Sequence, residues 1–365
     1  MSPLQLDLAR AAEERSDPMR VRDSRLDIAK GVLILLVVFG HLLPRIGLDD
    51  GLTNLAYTVI YAFHMPAFIF LAGITARSTR LIERIATFVI LLIAFQALYY
   101  VAERRIGDPF AWSWTDPHWI MWFLLALIWW TLTVPFIERF PRTLVAVSAV
   151  VGICAGVLPF AGSELSISRS LVFWPFFVVG KVYGAKLFAL TADLPLWTRV
   201  SGCAVAFLPL LALFVAGTDA GWLYGSGNFD HLEVSDPRGI LIRACLTLIA
   251  FLAILALLAA VPDMRGPLTV IGERSLSVYL LHGFLIIALT PALAEFFSGG
   301  YGHAVQIGAV VISGFAAGGI AFALSSKPVH WIVSTPPKRA AAAIASLLTP
   351  RERAHTPPDP ARNAR

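Results

Sequence analysis

The chain has 365 residues, 57% of them hydrophobic and 15% charged, and its mean hydropathy is +0.73. Soluble domains carry about 25% charged residues, so the composition excludes a soluble globular protein and indicates an integral membrane protein. The net charge of +5 does not indicate nucleic-acid binding, because the basic residues lie in short loops and in the tail, where membrane topology accounts for them.

Apolar runs of about 20 residues, each long enough to cross a bilayer as one α-helix, recur along most of the chain between short polar segments. The sequence therefore predicts an all-α fold, a polytopic membrane helical bundle of about ten transmembrane helices. The candidate spans lie near residues 26–46, 53–75, 84–103, 118–137, 143–161, 170–189, 198–217, 239–261, 274–297 and 304–325.

The basic residues between the spans predict the orientation of the bundle. Arg and Lys gather in the cytoplasmic loops of membrane proteins. With ten spans, the basic residues before the first span and after the second, fourth, sixth, eighth and tenth spans fall on one side, and the weaker-charged loops 104–117 and 218–238 fall on the other. Both termini are therefore predicted to lie in the cytoplasm. The chain divides into a cytoplasmic N-terminal segment (1–25), a membrane domain (26–325) and a cytoplasmic C-terminal region (326–365).

The region after the last span is predicted to stay at the inner membrane surface. Pro336 and Pro337 interrupt residues 329–349 too strongly for a span, since proline removes a helical hydrogen bond, so a short interfacial helix is expected. The polar residues that follow, up to residue 365, are typical of a disordered tail.

Ionisable side chains within the predicted spans mark a candidate site, because a charge near the bilayer centre costs roughly 2.5 to 3.5 kcal/mol. On the first span, Lys30 and His41 are eleven residues apart, which is three helical turns plus about 20°, so they share a face. Asp27 can pair with Lys30. This predicts a polar seam from the cytoplasm into the membrane; the alternative is that Asp27 and Lys30 mark the lipid interface and His41 is structural.

Two other spans each carry a histidine at a similar depth. His64 lies in the second span, where Pro66 is expected to kink the helix and to free a carbonyl near the ring. In the ninth span, Ser275 and His282 are seven residues apart and face one way, with Tyr279 close to that face. Three helices with one histidine each at one depth predict a shared site.

Charged and aromatic residues are expected at the two ends of this site. His118 begins the fourth span on the outer side, where an aromatic-belt position is the structural alternative. On the cytoplasmic side, Arg77, Arg80 and Arg84 suit phosphate recognition, because guanidinium groups bind phosphate bidentately. The pattern fits a ligand with phosphates at the cytosol and a reactive end near mid-membrane, as in a coenzyme A thioester.

Five segments carry a resemblance to a known family: DIAKGVLILLVVFGH, FHMPAFIFLAG, HWIMWFLLALI, FWPFFVVGKVYG and GERSLSVYLLH. Together they resemble the membrane acyltransferase-3 family, and among its branches the fucose 4-O-acetylase type of polysaccharide O-acetyltransferase. The family's basic residue followed by ten residues and a histidine is matched by Lys30 and His41. Its arginine pair is matched by Arg77 and Arg80, with Arg84 as the alternative member.

The resemblance implies a multi-pass enzyme of the cell membrane that transfers an acyl group, most often acetyl, from cytoplasmic acyl-CoA to a hydroxyl of a cell-envelope glycan or lipid-linked sugar, without a metal. His41 would act as general base or as transient acyl carrier, and His64 and His282 would orient it or stabilise the thioester oxygen. The cofactor is assigned to Lys30, Arg77, Arg80, Arg84 and Lys181, and the substrate to His118, Trp122, Ser275 and Tyr279.

A transporter or flippase with the three histidines as a proton relay is the competing interpretation. The lack of an internal repeat, the lack of carboxylates in the middle of the spans, and the arginines gathered on one side favour the enzyme. In an enzyme, the outer loop 218–238 is expected to contact sugar through Trp222, Tyr224 and Asn228.

Overall fold

A computed structural model describes residues 23–46, 51–106, 110–159, 162, 164–297 and 303–348. The disordered tail expected after residue 349 and most of the expected N-terminal segment lie outside these ranges. Within them the chain forms thirteen α-helices and no strand, which confirms the all-α prediction. The helices are α1 (Ser24–Leu42), α2 (Gly51–Thr75), α3 (Leu81–Ile106), α4 (Trp122–Arg139), α5 (Pro141–Cys154), α6 (Ile167–Leu190), α7 (Leu196–Val215), α8 (Ala220–Tyr224), α9 (Asp236–Ala260), α10 (Pro267–Glu273), α11 (Ser275–Phe297), α12 (His303–Leu324) and α13 (Lys327–Leu348).

Nine helical segments in the described ranges are long and apolar enough to cross a membrane. They correspond to nine of the ten predicted spans. The fifth predicted span, near 143–161, forms only the shorter apolar helix Pro141–Val157. At 1.5 Å per residue it is about 25 Å long, slightly less than the roughly 30 Å of a bilayer's hydrocarbon core. The orientation with cytoplasmic termini stays a prediction.

Glycines allow the central helices to touch backbone to backbone. A Cβ added at Gly73 of α2 would lie 2.2 Å from the carbonyl oxygen of Phe177, and one at Gly180 of α6 would lie 2.1 Å from that of Phe70. Membrane helices associate through such small-residue contacts, because lipid supplies no hydrophobic force between them. The α2–α6 contact therefore packs the helix that carries His64 directly against α6.

The first helix is anchored at the predicted cytoplasmic end by a buried arginine. The Arg25 side chain donates hydrogen bonds to the carbonyl oxygens of Phe188, Leu258 and Val261, at the ends of α6 and α9, over 2.7 to 3.2 Å. A cation at the C-terminal end of a helix satisfies carbonyls that have no helical partner and interacts well with the helix dipole. This anchoring fixes α1, which carries Lys30 and His41.

The C-terminal region differs from its prediction. Residues Lys327–Leu348 form one continuous helix of 22 residues with Pro336 and Pro337 inside it, instead of a short segment ended by the prolines. The prolines remove two helical hydrogen bonds. The helix persists because it packs against α3 and α11 and buries Val333, Ser334 and Ala341.

Candidate active site

The three predicted histidines converge inside the bundle. The imidazole rings of His41 and His282 lie 5.4 Å apart, centre to centre, although 241 residues separate them in the sequence. His64 contacts the ring of Tyr61 at 5.0 Å, and the Tyr61 hydroxyl lies 3.3 Å from Nδ1 of His41. α1, α2 and α11 thus each bring one histidine to a common site.

Hydrogen bonds determine which nitrogen carries the proton in two of these rings. Nδ1 of His282 donates to the carbonyl oxygens of Val278 and Tyr279 at 3.0 and 2.8 Å. Nδ1 of His64 donates to the carbonyl oxygen of Ile60 at 2.7 Å. A carbonyl oxygen only accepts, so Nε2 of each neutral ring keeps its lone pair. Nε2 of His282 is buried and has no hydrogen-bond partner among the described residues.

The carbonyl that Pro66 frees near His64 is not the one that the histidine bonds. Because proline lacks an N–H, the carbonyl that Pro66 leaves without a helical donor is that of Ala62. His64 donates instead to Ile60, the residue four positions before it.

Trp119 covers the histidine pair on one side. Its ring lies 5.1 Å from that of His41 and 6.4 Å from that of His282. The residue begins the short 3₁₀ helix Trp119–Met121 and has a φ of 41°, in the left-handed region. A bulky residue pays about 1 to 2 kcal/mol for that conformation, so the surrounding packing must hold it there.

A cavity of 1420 Å³, the charged cavity, opens on one side of the histidine site. Its lining includes apolar side chains close to the histidines, namely Phe68, Phe123 and Tyr279; the Tyr279 ring lies 6.5 Å from that of His282. The ionisable residues that line it, among those the structure describes, are the basic Arg25, Lys30, Arg77, Arg80, Arg84 and Lys338 and the acidic Asp23, Glu83, Asp263 and Glu273.

The predicted basic residues occupy different positions in this cavity. Lys30 is held by Asp27 at 3.6 Å, as the sequence predicts, and Arg80 lies 3.9 Å from Glu83. Arg77 forms no ion pair with any residue of the described ranges and is exposed. The guanidinium groups of the α2–α3 connection can therefore turn toward a phosphate.

Lys181 does not line the charged cavity. Its ammonium donates to the carbonyl oxygen of Ala76 at 2.7 Å and pairs with Glu138 at 2.8 Å. These contacts close the C-terminal end of α2 against α4 and α6. The geometry accounts for Lys181 as a structural cap; a role in cofactor binding stays a prediction.

A second cavity of 320 Å³, the aromatic cavity, lies on the Trp119 side of the histidines. Phe110, Trp119 and Trp122 line it, with Arg169 over the Trp122 ring at 5.1 Å. Its other lining residues in the described ranges are Ala111, Ser113, Asp116, Pro117, His118, Gly162, Ser166 and Ser226. Apolar faces with a few polar groups are typical of a small-molecule site.

The predicted substrate residues divide between the two cavities. His118 and Trp122 line the aromatic cavity, whereas Ser275 and Tyr279 line the charged cavity. Nε2 of His118 contacts a carboxylate oxygen of Glu103 at 2.9 Å, and its ring stacks on Phe110 at 3.7 Å. His118 is therefore held firmly at the wall of its cavity.

The outer loop differs from its prediction. Trp222 is buried and stacks on Phe229 with ring centres 6.0 Å apart, so its ring is not available to a sugar. Asn228 uses its side-chain oxygen to close a turn within the loop. Tyr224 is the most accessible of the three and hydrogen-bonds the hydroxyl of Tyr57.

Four residues of the site were not singled out from the sequence: Tyr61, Trp119, Arg169 and Lys338. Tyr61 precedes His64 by three residues, and this spacing places both on one helix face. The spacing could therefore have indicated Tyr61 as a residue of the site. The other three depend on tertiary packing that the sequence does not display.

In the described ranges, no group of three or more His, Cys, Asp or Glu side chains is arranged to hold a metal ion.

Comparison with known proteins gives one extensive match and two short ones. Residues 23–326 match the family model described as "Acyltransferase domain". Nodulation protein NolL of Sinorhizobium fredii is 41% identical over 61 residues, which cover 16% of this chain and 17% of that protein. Nodulation protein NolL of Mesorhizobium japonicum is 44% identical over 55 residues, 14% and 15% of the two chains. The matches thus span about a sixth of these relatives, and no solved structure matches.

Proposed function

The chain belongs to the acyltransferase family whose domain model covers residues 23–326, and we propose that it transfers an acyl group from cytoplasmic acyl-CoA to a sugar hydroxyl. The acyl group is acetyl, and the acceptor is a cell-envelope glycan or its lipid-linked precursor in the cell membrane. One observation carries the proposal: the histidine pair contacts Tyr279, which lines a cavity with basic residues, and Trp119, which lines a cavity with aromatic residues. The family match favours this enzyme over the transport alternative.

The charged cavity suits the acyl donor. The phosphates of coenzyme A need several cations, and Arg77, Arg80, Arg84 and Lys30 line the cavity at the end where α2 meets α3. The thioester end is apolar, and Phe68 and Tyr279 supply an apolar wall next to the histidines. The phosphates and the thioester of the donor thus fit different parts of the same cavity.

The histidines suit acyl transfer. His41 acts either as general base on the acceptor hydroxyl or as a transient acyl carrier. Nε2 of His282 keeps its lone pair and lacks a partner in the described ranges. When His41 carries the acyl group, His282 can take the proton of the acceptor hydroxyl, which His41 takes itself when it is the base; on either route the C–S bond breaks and the coenzyme A thiolate leaves and is protonated. The Tyr61 hydroxyl, 3.3 Å from Nδ1, holds the His41 ring in place.

The aromatic cavity suits the acceptor. Flat indole faces bind the apolar faces of sugar rings, and Asp116, His118 and Arg169 offer hydrogen bonds to hydroxyls. Its 320 Å³ accommodate a single sugar unit of a larger glycan.

Label transfer from radiolabelled acetyl-CoA in inverted membrane vesicles tests the proposal. Wild-type protein is compared with His41→Ala at matched amounts, and we expect label in the glycan fraction or on the protein with the wild type. Loss of a general base or nucleophile lowers the rate by about 10² to 10⁴, so His41→Ala should give almost no label.

His231→Ala is the matched control, because His231 is an exposed histidine outside both cavities. It should transfer label as the wild type does. Equal transfer by wild type and His41→Ala would reject the role of His41. No transfer by the wild type, with export of a glycan or a small solute, would reject the acyltransferase itself.

A further inference from the structure

Trp119 lies beside the histidine pair, at the wall of the aromatic cavity. One surface of the indole lines the aromatic cavity, and the ring also contacts both imidazoles. Tyr279, which lines the charged cavity, contacts the His282 ring at 6.5 Å. The histidine pair is thus in contact with a lining residue of each cavity, Tyr279 for the charged cavity and Trp119 for the aromatic cavity.

A hydrogen bond links the wall of the charged cavity to the turn that carries Trp119. The hydroxyl of Tyr279, which lines the charged cavity, donates to the carbonyl oxygen of Ile120, the residue after Trp119. Tyr279 lies on α11, three residues before His282. The helix that carries His282 is thus tied directly to the turn that carries Trp119.

The local backbone is adapted to hold the indole in this place. Trp119 has a φ of 41°, which a side chain of this size rarely adopts. On the facing helix, a Cβ added at Gly283 would lie 2.9 Å from Cζ3 of Trp119. The guanidinium carbon of Arg45 lies 5.9 Å from the indole ring. Glycine leaves room for the ring on one side, and a cation contacts it on another.

We propose that Trp119 is a selectivity residue that keeps water away from the histidine pair, so that the acyl group passes to a sugar hydroxyl instead of being hydrolysed. This inference rests on the proposed function. Without an acceptor, the indole fills the route from the aromatic cavity to the histidines. A bound sugar tilts the ring about its side-chain torsions, with the backbone of Trp119 unchanged, and brings its hydroxyl to the same place.

The reaction that Trp119 suppresses is hydrolysis of the thioester. Water adds to the acyl carbonyl, either of the thioester or of acyl-His41, and gives its proton to a histidine. On the thioester route the bond from the carbonyl carbon to sulfur breaks, the thiolate takes the proton from the histidine, and the products are a carboxylic acid and free coenzyme A. On the acyl-His41 route coenzyme A has already left when acyl-His41 forms; the bond from the carbonyl carbon to the imidazole nitrogen then breaks, and the products are a carboxylic acid and free His41. An acyltransferase must exclude water for this reason.

The test measures release of free coenzyme A from acetyl-CoA by purified protein in detergent, without any glycan. We expect negligible release by the wild type and at least about tenfold faster release by Trp119→Ala, since the substitution opens a path for water to the histidines. A second change of His41 to Ala in that variant should abolish the release. A gain of hydrolysis distinguishes a barrier from a structural residue, whose loss would lower every activity.

Trp114→Ala controls for loss of an indole, because Trp114 is 77% exposed and lines neither cavity. If the Trp119→Ala protein does not accumulate, the release of coenzyme A is measured for Trp119→Phe instead. This variant makes a smaller opening and should also release coenzyme A faster than the wild type. If the folded variant releases coenzyme A no faster than the wild type, and wild-type vesicles transfer label, the role of Trp119 is overturned and the proposed function stands. Wild-type vesicles that transfer no label overturn the proposed function and this inference together.

Discussion

The two cavities differ in size, charge and side-chain type, although a lining residue of each contacts the same histidine pair. The charged cavity has 1420 Å³ and ten ionisable lining residues, whereas the aromatic cavity has 320 Å³ and three large aromatic rings besides His118. Arginines recognise phosphate by charge and by bidentate hydrogen bonds, whereas a flat ring recognises a flat face at close range. The first cavity is therefore built to capture a large, charged molecule and the second to select a small, uncharged part of one.

This difference separates binding from chemistry in the proposed reaction. Changes in the charged cavity should alter the KM for acyl-CoA, and changes in the aromatic cavity should alter the KM for the acceptor. Changes at the histidines should alter kcat.

His282→Gln gives the largest expected effect. The substitution keeps a polar side chain of similar length but removes the imidazole Nε2 that can take a proton, so we expect kcat to fall by about 10² to 10⁴ with both KM values little changed. Initial rates of label transfer at varied acetyl-CoA and acceptor concentrations measure all three constants.

His118→Gln serves as the comparison, since His118 belongs to the aromatic cavity alone. It should raise the KM for the acceptor and leave that for acetyl-CoA unchanged. A fall in kcat of less than threefold for His282→Gln would contradict the assignment of His282 to the chemistry.

Lys338→Ala gives a smaller expected effect, confined to the charged cavity. Lys338 lines this cavity from α13, which lies beyond the family match. An exposed charge pair contributes up to about 1 kcal/mol, so we expect the KM for acetyl-CoA to rise about two- to fivefold with kcat unchanged.

The neighbouring Arg339→Ala is a matched control, because Arg339 is exposed and does not line the cavity. Loss of net charge alone would affect both variants equally. Equal KM values for the two variants would show that α13 does not take part in donor binding.

Much of this arrangement follows from patterns that the sequence displays. Helical periodicity placed Lys30 and His41 on one face, and the structure gives Lys30 to the charged cavity and His41 to the histidine pair. The equal depth of His64 and His282 predicted their meeting with His41. These predictions succeeded because membrane thickness fixes the depth of each residue along its helix.

What the sequence did not reveal depends on contacts between distant segments. Lys338 enters the charged cavity only because α13 continues through Pro336 and Pro337, which local propensity opposes. Trp119 acquires its place from a left-handed backbone conformation that no neighbouring glycine signals. Lys181 was expected in the cavity with the other basic residues, but pairing with Glu138 holds it at the end of α2.

Tyr61→Phe gives an expected effect as small as that of Lys338→Ala, but on kcat instead of KM, and tests the orientation of His41. The Tyr61 hydroxyl lies 3.3 Å from both Nδ1 of His41 and the carbonyl oxygen of Gly40. Because the carbonyl only accepts, the hydroxyl donates to it and can accept from Nδ1–H, which leaves Nε2 of His41 free to react. Loss of one such hydrogen bond costs about 1 kcal/mol, so we expect kcat to fall about fivefold with both KM values unchanged.

Tyr57→Phe is the control, since Tyr57 stacks on Tyr61 at 4.1 Å but its hydroxyl bonds that of Tyr224. If both variants lose the same activity, packing of the aromatic rings rather than orientation of His41 is what Tyr61 provides, and His41 must then be oriented by its contact with Trp119.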